Sequence, residues 1–110
     1  MAASELLIDT PILIDYLRKS QKHLTIFYQL SSQFDYSISS ITHFEFMVGS
    51  TSNNRPFMEQ LLQELPVLPF DVDCANQAAT IFQDLKSQNQ LLPMADILIA
   101  ATAIAYDMPL

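Results

Sequence analysis

Apolar positions recur along this chain with two different periods. Leu6, Leu7 and Ile8 form a short unbroken run that stops at Asp9, and Ile12, Leu13, Tyr16 and Leu17 then follow at the spacing of one helix face. Thr10 is placed to cap that helix, and Pro11 suits its first turn, where the missing N–H has no partner to lose. Asp9 therefore reads as the last residue of a buried strand. Leu24 to Leu30 (LTIFYQL) continues in a helical pattern, and Phe34 to Ser39 (FDYSIS) alternates apolar with polar residues, as a second strand does. Ser40 to Thr42 supply capping hydroxyls, and Thr42 with Glu45 matches the S/T-x-x-E capping box of a helix with Phe44, Met47 and Val48 on its apolar face. Gly49 ends it, and STSNNR (50–55) is the most polar stretch in the chain.

Pro56 opens a further helix with Phe57, Leu61, Leu62 and Leu65 on its buried side, and Pro66 closes it. Val67 to Phe70 (VLPF) reads as a third strand, held to a sheet edge by Pro69. Asp71 or Asp73 caps a helix from Cys74 to about Ser87, with Ala75, Ala78, Ala79, Phe82 and Leu85 as its packing face. After a turn at Gln88 to Leu92, Met94 to Tyr106 is apolar nearly all round and reads as a buried central helix. Strands alternating with helix pairs imply an α/β fold, a small parallel sheet with helices on both faces. Asp107 to Leu110 reads as a helix exit running into another strand.

At 110 residues this is one domain, 1–110. Half its residues are hydrophobic and one is glycine, which excludes a disordered or low-complexity chain. Cys74 stands alone, so no internal disulfide forms and a reducing, cytoplasmic setting is expected. Glu5 and Asp9 interrupt the apolar N-terminal run, and Pro93 and Asp96 interrupt Leu91 to Tyr106, so neither a leader nor a membrane span is expected.

The formal charge of −7 weighs against nucleic acid, unless carboxylates are gathered to hold a cation that reverses the local field. The few basic residues are concentrated: Arg18, Lys19 and Lys22, beside His23, end the first helix. They form either a phosphate-contacting patch or a solvated helix end whose cations match the dipole.

Three acids then occupy corresponding places. Asp9 ends the first strand, Glu45 lies on the first turn of the helix after the second, and Asp96 is the only charge in LLPMADILIAATAIAY. In an open parallel sheet these places share the edge beyond the carboxyl ends of the strands, where ligands bind. Asp9 and Asp96 each serve equally well as helix caps. Brought together without basic partners, the three suit Mg²⁺ or Mn²⁺.

LLIDTPILIDYLR, SISSITHFEFMVGS and ADILIAATAIAYDMPL, in this order, resemble the PIN-domain ribonucleases, in particular VapC-type toxins of toxin–antitoxin pairs. The resemblance spans essentially the whole chain. It implies a three-layer α/β/α fold, with Asp9, Glu45 and Asp96 as metal-binding acids and Thr10 as the hydroxyl residue beside the first. It further implies Mg²⁺-dependent (or Mn²⁺-dependent) endonucleolytic cleavage of RNA, a small antitoxin that occupies the groove, and a homodimer. Arg18 is the candidate substrate contact.

Two departures from the family pattern stand out. Pro11 replaces a usual Asn or Ser. The chain also ends before a fourth acidic or amide residue and a further strand, which makes the domain C-terminally incomplete and leaves Leu6 to Ile8 at an exposed edge. A catalytically degenerate binding module is therefore the alternative expectation, with Phe44, Phe46, Met47, Phe57 and Met58 available for an interface. An aspartate-nucleophile phosphatase is disfavoured, because Pro11 stands where its second Asp is needed.

Overall fold

The computed structural model describes residues 4–110. Three parallel strands, β1 (Ser4–Leu7), β2 (Phe34–Ser39) and β3 (Val67–Leu68), lie in the order β1-β2-β3. Between β1 and β2 run α1 (Thr10–Arg18), a 3-10 turn (Lys22–Leu24) and α2 (Ile26–Leu30). Helices α3 (Ser40–Val48) and α4 (Arg55–Gln63) join β2 to β3, and α5 (Val72–Ser87) and α6 (Met94–Ala105) follow.

Strand alternation sorts the core into two faces. Leu6 and Ile8 of the first strand, with Tyr36 and Ile38 of the second, face a cluster built from Leu13, Phe27, Phe46, Met58, Leu62 and Leu65. Leu7 points the other way, onto Ile99 and Ala103 of α6, joined by Ile41, Leu68 and Met108. Ser37 pairs with Leu7 in register, so β2 offers small buried side chains at Ser37 and Ser39 on the face that α6 covers. Helix α5 packs outside α6 through Ala78, Ile81, Phe82 and Leu85. The sheet is thus a middle layer with helices on both faces, as the alternation of strands and helix pairs implied.

Local differences from the sequence pattern have identifiable causes. Asp9, not Thr10, caps α1, accepting from the Thr10 amide at 2.8 Å. Ser39, not Thr42, caps α3, so that helix begins early and Glu45 falls on its second turn. In α4 the buried stripe is Met58, Leu61 and Leu62, continued past the helix end by Leu65, while Phe57 lies one position off it, against Tyr16 and the Lys22 ammonium. In α5 the inner face is Cys74, Ala78, Ile81, Phe82 and Leu85, leaving Ala75 and Ala79 outside. The third strand stops at Leu68 because Pro69 has no N–H and the Phe70 amide donates to Ser40 Oγ instead. His43, on α3, is half-buried, and its Nδ1 is shielded without a partner among the described residues.

Both long C-terminal helices end in Schellman motifs. At the end of α5, Asn89 takes φ 59° and the Gln90 amide reaches Leu85 O. At the end of α6, Asp107 takes φ 55° and the Met108 amide reaches Ala103 O at 2.8 Å. That turn carries the chain back beside β1, where the Leu7 amide donates to Pro109 O at 2.9 Å. β1 remains the terminal strand of the sheet, as expected for Leu6 to Ile8, but its Leu7 amide is satisfied there, and the Leu7 and Ile8 side chains are buried by the helix layers. Among the described residues no helix is long and apolar enough to cross a membrane.

Candidate active site

The carboxyl ends of β1 and β2 deliver two capped helices to one place. Beyond β1, the Asp9 cap leaves Thr10 as the first helical residue, so its hydroxyl is free to reach across to α3. It donates to Glu45 Oε1 at 2.7 Å and lies 3.1 Å from Thr42 Oγ1. Thr42 Oγ1 is in turn 3.3 Å from Ser39 Oγ, which accepts from the Thr42 amide at 3.0 Å. A hydroxyl carries one proton. With the Thr10 proton committed to the carboxylate, Thr42 donates to Thr10 and Ser39 to Thr42. This buried chain of hydroxyls, Ser39, Thr42 and Thr10, ends on Glu45 and fixes one of its two carboxylate oxygens.

Asp96 stands on the first turn of α6, where the helix macrodipole favours a negative charge. The sequence pattern placed it in a buried helix. It is instead exposed, because α6 buries Ile97, Ile99 and the Ala101–Ala103 segment while its first turn projects past the sheet. No desolvation cost is therefore carried at Asp96.

Glu45, Asp96 and Thr10 line one open cavity of about 700 Å³, together with Pro11, Ile14, Asp15, Arg18 and Lys19. Asp9, half-buried, lines the neighbouring apolar cavity beside Leu6, Ile8 and Leu110, and one of its oxygens is held by the Thr10 amide. Two of the three sequence-derived acids thus share a cavity, and the third adjoins it through Thr10. Among the described residues no three His, Cys, Asp or Glu side chains stand close enough to hold one metal ion. The ion pairs among the described residues, Lys19–Asp15 and Arg55–Glu59, involve none of the three acids. Two oxygen ligands without a cationic partner, on an open cavity, fit Mg²⁺ or Mn²⁺, which takes one or two carboxylates and fills its octahedron with water. Thr42 was read from the sequence only as a capping residue, and Ser39 only as the end of the second strand. The signal for more was the run of four hydroxyl residues in SISSIT, more than one cap requires.

Residues 6–110 match the PIN domain family. Ribonuclease VapC1 of Methanocaldococcus jannaschii is 31% identical over 108 residues, covering 97% of this chain and 74% of that protein. Ribonuclease VapC3 of the same organism is 33% identical over 94 residues, covering 86% of this chain and 93% of that protein. Among solved structures, a toxin–antitoxin complex from Klebsiella pneumoniae superposes with a TM-score of 0.75 at 26% identity, covering 94% of this chain and 81% of that one.

Proposed function

This chain belongs to the PIN-domain family, and from that premise we propose that it is a divalent-cation-dependent endoribonuclease of the VapC type, the toxin of a toxin–antitoxin pair. The observation that carries the reading is the joint placement of Glu45 and Asp96 on one open cavity, with Glu45 oriented by Thr10.

Glu45 and Asp96 would hold the cation, with Asp9 as the third acid across Thr10. When bound there, Mg²⁺ or Mn²⁺ supplies charge neutralisation at a phosphoryl oxygen and acidification of water. The protein's own contribution is orientation. Thr10 ties down Glu45 Oε1 and its backbone amide ties down Asp9 Oδ1, which leaves the second oxygen of each carboxylate without a hydrogen bond among the described residues. Asp96 contributes its carboxylate from the first turn of α6. The relatives named as ribonucleases and the toxin–antitoxin neighbour support RNA as substrate and a small antitoxin protein as partner. A homodimer belongs to the same reading.

The alternative, a non-catalytic binding module, draws on the lack of a three-donor cluster among the described residues. Its proposed aromatic surface is mostly internal: Phe46 and Met58 are fully buried, and of the five residues expected there only Phe44 stands well out in solvent. One experiment separates the readings. Mn²⁺ is titrated calorimetrically into wild type, Asp9→Asn and Asp96→Asn, with cleavage of a mixed RNA pool followed in parallel. Binding and cleavage that both collapse in the variants support the nuclease; wild-type protein that neither binds Mn²⁺ nor cuts RNA overturns it.

A further inference from the structure

The acidic cavity does not stop at Glu45. A second cavity of about 350 Å³ adjoins it and shares Ile14, Arg18 and Glu45 as the common wall. Ile14, Leu17, Phe46 and Met58 line its apolar part, and Gly49, Thr51 and Asn54 form its polar side. Thr51 and Asn54 hold each other in place. The Thr51 amide donates to Asn54 Oδ1 at 2.7 Å and the Asn54 amide to Thr51 Oγ1 at 3.4 Å. That leaves the Asn54 side-chain NH₂ without an acceptor among the described residues.

The basic residues are distributed around this path. Four of the five in the chain, Arg18, Lys19, Lys22 and Arg55, sit on the end of α1, the turn after it or the start of α4. Lys22 is committed to the carbonyls of Tyr16, Leu17 and Lys19, Lys19 pairs with Asp15, and Arg55 pairs with Glu59. Arg18 is exposed, lines both cavities and has no carboxylate partner among the described residues. An unpaired guanidinium between a carboxylate-lined cavity and an apolar one with an amide on its rim matches one nucleotide step. The planar fork takes a phosphate bidentately, and the apolar pocket takes the base.

We infer that Arg18 binds the phosphate next to the scissile one and that the Ile14–Met58 cavity receives the flanking base of a single-stranded RNA, read by Asn54. The inference rests on the ribonuclease reading above and adds the direction in which the strand leaves the acidic centre. Arg18 and Asn54 are substrate-positioning residues in it.

The test measures binding of fluorescein-labelled RNA oligonucleotides, varied at the positions flanking the cleavage site, by anisotropy in EDTA over a salt series. Wild type, Arg18→Ala and Asn54→Asp are compared, with melting curves as the folding control. Arg18 is exposed, and Asn54→Asp keeps the acceptor for the Thr51 amide while removing the free donor. Arg18→Ala is expected to weaken binding to every sequence several-fold and to lower the salt slope by about one. Asn54→Asp is expected to change the preference among bases at one flanking position by roughly tenfold, within the range a single base contact supplies. Wild type that cleaves RNA beside variants with unchanged affinity, slope and base preference overturns this inference alone. Wild type that neither binds nor cleaves RNA overturns it together with the ribonuclease reading. Variants that bind RNA normally but no longer hold a co-expressed protein partner assign the groove to that partner, and this too overturns it.

Discussion

Thr10 and Glu45, 35 positions apart in sequence, are joined by a 2.7 Å hydrogen bond in which the threonine hydroxyl donates to the carboxylate. The bond ties the first residue of α1 to the second turn of α3, so it aligns the two helices that follow β1 and β2. Replacing Thr10 by Val keeps the shape and removes both the donor to Glu45 and the acceptor for Thr42. The expected cost is about 1–3 kcal/mol, the range for leaving buried partners unsatisfied, read by urea denaturation. Thr10→Ser keeps the oxygen, so Mn²⁺ affinity should survive in Ser and fall in Val.

Asp96 separates function from stability. It is exposed and makes no ion pair among the described residues, so Asp96→Asn loses only part of a favourable dipole interaction, about 0.3–1 kcal/mol. Thermal melting should show a shift of that size or less while Mn²⁺ binding is lost. A large fall in stability would show that Asp96 is a structural residue.

The cap of α5 makes part of the fold's stability sensitive to acid. The Cys74 amide donates to Asp71 Oδ1 at 3.0 Å, and this hydrogen bond holds the Asp71 carboxyl below its ordinary value. A carboxyl with a lower pKa in the folded state stabilises above the unfolded pKa, and that contribution is lost as pH falls through the folded one. Asp71→Asn retains a capping acceptor and cannot titrate. Its melting temperature should therefore fall less steeply than that of wild type below about pH 4.

Asp107 adopts a left-handed conformation, with φ 55°, to turn the chain out of α6. Glycine takes that conformation without a Cβ penalty, so Asp107→Gly should stabilise the protein by about 1 kcal/mol. Denaturant midpoints of the two forms decide it, and a destabilised variant would show that the Asp107 side chain makes a contribution of its own.

The sequence was most legible where burial and periodicity agree. The run Leu6–Ile8, the alternation in FDYSIS and the apolar Met94–Tyr106 segment each led to a real element, and together they gave the layered parallel architecture. It was least legible where two neighbouring residues compete for one local job. Asp9 and Thr10 are both good caps, as are Ser39 and Thr42. The first of each pair takes the cap, and only partners 35 and 32 residues away show what the Thr10 and Thr42 hydroxyls are for. The helix faces of α4 and α5 were read correctly at most positions, with Met58 in place of Phe57 and Cys74 and Ile81 in place of Ala75 and Ala79, since Phe57 and Met58 are equally apolar and the tertiary contact chooses between them. Asp96 was placed correctly along its helix but not in depth, because a nearly all-apolar helix does not reveal that its first turn projects past the sheet. The second cavity has no sequence signature, as its walls come from α1, α3, α4 and the loop between α3 and α4.

The hydrogen bond from Leu7 to Pro109 orders events in time as well as in space. On the ribosome β1 is made first, yet the acceptor for its outward-facing amide is synthesised 102 positions later. Its inner partner, β2, is also parallel and non-local, so neither side of β1 can be satisfied from adjacent chain. The earliest strand to emerge is thus the last to be closed. Once β2 has paired with β1, the outward side of β1 stays open until Pro109 is made, and that is the interval in which a strand-binding chaperone can act.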